Sequence, residues 1–239
     1  MKRIYTYLTL LMLALAPAAL TSCDDDPWYD DPYGDWYDDY DWYDRPFDHG
    51  SSQLVDMAQM LNGTWSGEAR NVSYENGVKY ETQIGVEFTF AQYTRNSNNG
   101  TGYETDYAQR YDADGNPVKD RDGNAVYDTQ TLRFKWYIDP RTYSIYMEYD
   151  SGYRYLLDYR GNTADSGFQL GWNDEYRRYI FDGVMEGVNT DERVYFSCDR
   201  VDGNTRALGS GTAAKRVTFG KTVTQRVSTD GLKSALPKR

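Results

Sequence analysis

The chain has 239 residues and a formal charge of -11, with 24 Tyr, 6 Trp, 2 Cys and a single His. One His and two Cys exclude His-cluster catalysis and Cys-based zinc sites, and acidity of this degree argues against nucleic acid as a partner. The charge is uneven, and it divides the chain into a basic start (1–22), an acidic segment (23–50), a central domain (51–200) and a basic tail (201–239).

The N-terminus carries Lys2 and Arg3, an apolar run from Leu8 to Leu20, and then Leu20-Thr21-Ser22-Cys23. A basic start, a short apolar stretch and small residues before a cleavage point make a secretory signal, and the run falls short of the roughly 20 residues a spanning helix needs. Leu20, Thr21, Ser22 and Cys23 resemble the bacterial lipobox. The resemblance implies a diacylglycerol thioether on Cys23, cleavage before it, and usually an acyl group such as palmitate on the new amine. Asp24-Asp25-Asp26 resembles the export signal of Bacteroidota surface lipoproteins, which implies display on the cell surface at the outer membrane. In the enterobacterial convention Asp24 would instead imply retention at the inner membrane.

From Asp24 to Asp48 there are 11 Asp against Arg45 alone, interleaved with Trp28, Trp36, Trp42 and many Tyr. Charge repulsion and the lack of aliphatic residues argue against a packed core there. The segment reads as a spacer lifting the domain off the membrane, with a sticky aromatic arm as the alternative. His49 falls in this linker.

Ser52 to Leu61 is the one good helix, with Leu54, Val55, Met57, Ala58 and Leu61 on its apolar side and Ser51 or Ser52 as its cap. The rest of the domain alternates. Val78, Tyr80, Ile84, Val86, Phe88 and Phe90 share one face against Lys79, Glu81, Gln83 and Glu87. Leu132, Phe134, Trp136 and Ile138 repeat the pattern, as do Ile145, Met147 and Tyr149, then Tyr153 to Tyr159, Phe168 to Trp172, Tyr179 with Phe181, and Val194 to Cys198. Asn76-Gly77, Ser151-Gly152 and Gly161-Asn162 are hairpin-turn signals. About eight strands in an antiparallel meander are expected to close, because closure removes exposed edges. Cys198 alternates with Val194 and Phe196 and reads as a core thiol.

Leu61-Asn62-Gly63-Thr64-Trp65 follows the helix directly. Gly63 and Trp65 resemble the Gly-x-Trp that opens the first strand of lipocalin and lipocalin-like families. The resemblance implies an all-β, up-and-down barrel with Trp65 plugging its closed end and a basic residue, Arg200 or Arg193, packed over it.

Asp112-Ala113-Asp114-Gly115-Asn116 and Asp120-Arg121-Asp122-Gly123-Asn124 look like calcium loops, but the EF-type positions for Gly and Glu hold Pro117 and Gly123. Asp-Gly turns on a protruding hairpin explain them, and no metal or cofactor is expected. Glu68, Glu87, Glu148 and Asp158 are acids on strands and are expected to face water. Nothing spells out a nucleophile motif or a P-loop, so no catalytic residue is assigned. In the tail, Arg216 to Phe219 with Val223 reads as a short edge strand. The expectation is a non-enzymatic, membrane-anchored binding module for a small apolar or glycan ligand or an envelope protein, with Trp136, Tyr155 and Phe134 as ligand-lining residues. An accessory lipoprotein without a pocket and a glycan-acting hydrolase are the alternatives. An open, lined cavity would favour the first, a filled barrel the second, and two spaced carboxyls in a cleft the third.

Overall fold

The computed structural model describes residues 44–201 and 217–220. The signal, Cys23, most of the acidic linker and most of the basic tail, Val223 included, lie outside the described residues. Helix α1 spans Ser52–Leu61. The strands are β1 (Gly63–Glu75), β2 (Val78–Gln92), β3 (Asn99–Gln109), β4 (Tyr127–Ile138), β5 (Ile145–Tyr149), β6 (Arg154–Leu157), β7 (Phe168–Asn173), β8 (Arg178–Gly187), β9 (Arg193–Arg200) and β10 (Thr218–Gly220).

Eight of these close an antiparallel barrel in the order β1-β2-β3-β4-β5-β6-β8-β9, with β9 returning to β1 through Trp65↔Arg200 to Val72↔Arg193. This is the lipocalin-like barrel with one short helix that the sequence leads one to expect, with two differences. Strand β3 shows no apolar alternation and is absent from the expected series. Strand β7 is in that series but lies outside the ring. It pairs with β8 along Phe168↔Gly183 to Asn173↔Arg178, while β6 takes the same edge further on at Tyr155↔Gly187. The meander therefore skips from β6 to β8, and the turn at residues 158–161, closed by Gly161 N–H donating to the Asp158 carbonyl at 3.3 Å, joins no hairpin. Strand β10 adds to the free edge of β7.

The reason β3 escapes the pattern lies in the register. Gly100 and Gly102 are two of its inward residues, and they stand opposite Trp136 and Phe134 of β4. A Cβ on Gly102 would lie 2.3 Å from the Phe134 ring, so the missing side chain is what admits the aromatic one. Large and small residues alternate across facing strands, as a filled barrel needs.

The interior is packed with Trp65, Phe88, Phe90, Phe134, Trp136, Phe168, Phe181 and Phe196, all essentially inaccessible. Phe90 meets Phe134, Trp136 and Phe181 edge-on at centroid distances of 5.2 to 5.9 Å, the arrangement aromatic quadrupoles favour. Burying each such ring is worth about 1.5–3 kcal/mol. Cys198 is buried within this core, as its alternation implies.

The end of the linker belongs to the domain. Phe47 is buried, its N–H donates to Asn99 Oδ1 at 2.9 Å, and its carbonyl accepts from Asn98 N at 2.9 Å. Asn99 Nδ2 donates to the Arg45 carbonyl at 2.7 Å, and Lys135 pairs with Asp44. Described residues from Asp44 onward, on the linker side of residue 50, are therefore sewn onto the barrel.

The long β1–β2 hairpin runs past the barrel wall. Its Asn76 and Gly77 both adopt positive φ (51° and 79°), as a type I′ turn requires. Val78 and Tyr80, expected on the apolar face, are half exposed for this reason: the wall on which that face packs ends near Ile84. The expectation that Glu68 faces water also fails. It points outward by alternation, yet it is buried on the outer face of β1 near Asp182 and Ser197. A small apolar cluster of Val72, Val184 and Tyr195 lies on the same outer face, with Tyr195 donating to Asp165 at 2.7 Å.

Residues 110–126 form the protruding arm. Asp112 Oδ1 accepts from the N–H groups of Asp114 and Asn116 (3.0 and 2.8 Å), and Asp120 Oδ1 does the same for Asp122 and Asn124 (2.9 and 2.8 Å). These are Asx turns, which satisfy the carboxylates with backbone donors. The described residues hold no cluster of three or more metal-binding side chains.

Candidate binding site

The two ends of the barrel differ in chemistry. At one end the Trp65 indole donates to the Leu61 carbonyl at 2.8 Å. The Arg200 guanidinium lies 5.1 Å from the Trp65 ring centroid and donates to the Met60 and Asn62 carbonyls at 2.8 and 2.6 Å. Burial lowers the Arg200 pKa, and the helix-end carbonyls with the indole face supply partners for its charge. Gly63 has φ +128°, and a Cβ there would lie 2.9 Å from Arg200 Nη2. Helix α1, capped by Ser51 Oγ accepting from Leu54 N, seals this end with Leu54, Met57, Ala58, Met60 and Leu61. Of the two basic residues in question, Arg200 takes the place over Trp65. Arg193 sits at the other end of β9 and is exposed.

At that other end the packing stops and a cavity of about 180 Å³ opens, lined by Asn71, Ile84, Glu104, Asp106, Leu132, Tyr149, Ser151, Tyr153, Tyr155, Met185, Glu192 and Val194. Alternation aims Asn71 of β1, Glu104 and Asp106 of β3, Tyr149 of β5 and Tyr155 of β6 inward. Glu192 comes from the β8–β9 turn.

These groups hold one another. The Tyr149 hydroxyl donates to Glu104 Oε2. The Tyr155 hydroxyl donates to Glu192 Oε2 at 2.6 Å, and Asn71 Nδ2 donates to Glu192 Oε1. Burial first, and then the neighbouring Asp106 charge, push the Glu104 carboxyl up to about 8. Asp106 is also raised by burial, against a hydrogen bond from Glu104 that favours its ionised form. The pair therefore shares a proton at neutral pH. Both tyrosines are held neutral, by burial and then by the carboxylates they donate to.

Of the three residues expected to line a ligand site, only Tyr155 lines this cavity. Phe134 and Trp136 are core, and the Trp136 indole is spent on the Thr101 carbonyl at 3.0 Å. None of Glu68, Glu87, Glu148 or Asp158 reaches the cavity. The acids that do, Glu104, Asp106 and Glu192, went unremarked in the sequence, two of them because β3 itself did. The available signal was a Glu-x-Asp at period two in a segment flanked by long strands.

No family model matches this chain, and no curated protein is significantly similar to it in sequence. The site's reading therefore rests on its own geometry.

Proposed function

We propose that this chain is a lipid-anchored, non-enzymatic binding protein whose barrel holds a small polar ligand in its open end. Cys23 would tether it to the outer membrane, with the acidic segment as spacer and the domain on the cell surface. The observation that carries this reading is the cavity: one end of the barrel is packed solid, and the other is left unfilled and lined by convergent polar groups. A purely structural barrel has no reason to leave carboxyl groups buried and unmet by solvent, since each costs stability. The polar lining turns the expectation away from an apolar ligand. The volume lies below the roughly 300–1,000 Å³ of pockets for drug-sized molecules, so the occupant is small.

A hydrolase reading has less support. Glu104 and Asp106 are neighbours on one face of β3 and form a coupled buried pair, whereas glycosidase acids flank the scissile bond from two sides.

The test is a thermal-shift screen of the folded domain against small sugars, amines, amino acids and fatty acids. Binding by a polar compound, weakened in Glu192→Gln, supports the proposal; binding by fatty acids alone, or by nothing, refutes it. Protease shaving tests the display: a domain digested in intact cells is on the surface, and one digested only after lysis is not.

A further inference from the structure

We infer that the cavity at the open end selects a small organic cation, an ammonium or guanidinium group carried on a compact apolar or aromatic body. The inference rests on the proposed binding role of that cavity and names its ligand class. The argument is one of donors and acceptors. Tyr149, Tyr155 and Asn71 each direct a donor at a carboxyl group of the cavity itself. What remains is acceptor capacity: Asp106 Oδ1 and Asn71 Oδ1 are both buried and accept no hydrogen bond. No Lys or Arg is among the lining residues.

A ligand that completes these two buried acceptors must bring donors; the lining's other hydroxyls, on Ser151 and Tyr153, belong to exposed residues. Ammonium has three donors and guanidinium five, and neither has an acceptor. A neutral sugar hydroxyl brings one donor together with lone pairs that would face other lone pairs. Charge points the same way. Glu104, Asp106 and Glu192 line one cavity, and with one proton shared between Glu104 and Asp106 the lining still carries net negative charge, which a cation offsets. The tyrosine rings and Ile84, Leu132, Met185 and Val194 then offer faces to the ligand's body, and the aromatic ones favour a positive charge.

The experiment compares three isosteric probes, benzylamine, benzyl alcohol and benzoate, with glucose as a neutral polyol, by isothermal titration on the wild-type chain and on Asp106→Asn, Glu104→Gln and Glu192→Gln. Charge-assisted hydrogen bonds set the expected scale. Benzylamine should bind about tenfold or more tighter than benzyl alcohol, and benzoate should not bind. Asp106→Asn and Glu192→Gln, near-isosteric changes, should weaken benzylamine by about tenfold. They should leave benzyl alcohol within about threefold. Should one variant fail to fold, the other two carry the comparison.

If benzyl alcohol or glucose binds as tightly as benzylamine and Glu192→Gln weakens it, the cation inference falls while the open end remains a binding site. If benzylamine binds and none of the three variants weakens it, it binds elsewhere and the inference falls. If none of these probes and no compound of the wider screen binds, both readings fall.

Discussion

The closed and open ends of this barrel are made from the same strands with the same inward alternation, and they solve opposite problems. At the closed end a buried charge, Arg200, donates through both terminal nitrogens to the Met60 and Asn62 carbonyls and lies over the Trp65 face, with only its Nε unmet, and helix α1 covers what remains. At the open end three acids are brought inward with only tyrosine hydroxyls and an amide to answer them, and the space between is left unfilled. A polar group satisfied in burial adds to stability and specifies one arrangement; one left partly unmet costs stability and waits for a partner. Stability is thus concentrated at one end, which allows the other to be poorly satisfied without unfolding the barrel.

That contrast can be broken from either side. The largest effect is expected from Trp65→Ala, which removes the plug. A loss of about 3–5 kcal/mol in denaturant unfolding is expected, as for other buried Trp truncations. A loss under about 1 kcal/mol would mean that the closed end does not anchor the fold.

The open end should reveal itself through pH. Glu104 holds its proton to about 8 when folded, against an ordinary value of 4.5. Between those values the folded chain keeps a proton that the unfolded chain releases, so stability is greatest below the lower value. It falls as pH rises towards about 8 and is level above. The slope is at most about 1.4 kcal/mol per pH unit for one proton. Denaturation midpoints from pH 5 to 9 should show the fall in the wild type, and Glu104→Gln should flatten it. An equal fall in the variant would place the cause outside this pair.

Arg200→Ala comes next. It strips the helix-end carbonyls of two charged donors and should cost about 2 kcal/mol or more. Arg193→Ala, at the exposed end of the same strand, should stay within about 0.5 kcal/mol. Equal costs for the two would dissolve the distinction between the ends. The smallest effect is Tyr155→Phe, about 1 kcal/mol, since it deletes one hydroxyl from Glu192 and leaves the ring in place. A larger loss would show that the open end is held as tightly as the closed one.

Much of the barrel was legible along the chain. Strands such as Leu132 to Ile138 bury one face and wet the other, so their period of two is written directly in residue types. Gly63, Trp65 and the preceding helix marked the closed end, where packing demands particular shapes at particular positions. The open end was not legible, because its residues are polar and polar residues look alike whether they face water or a cavity. Phe134 and Trp136 looked like ligand walls and became core, while Glu104 and Asp106 sat in a strand whose inward glycines hid its periodicity.

By itself the sequence determined the strand alternation, the turns and the buried Trp65, because these depend on local chemistry: side-chain period, positive-φ turn residues and helix capping. Only the tertiary structure decided that β6 reaches past β7 to β8, that Arg200 rather than Arg193 covers the indole, and that Glu104, Asp106 and Glu192 line one cavity. These three acids are separated by up to 88 positions in the chain. What brings them together is the closure and register of the barrel, a property of all its strands at once that no one segment carries.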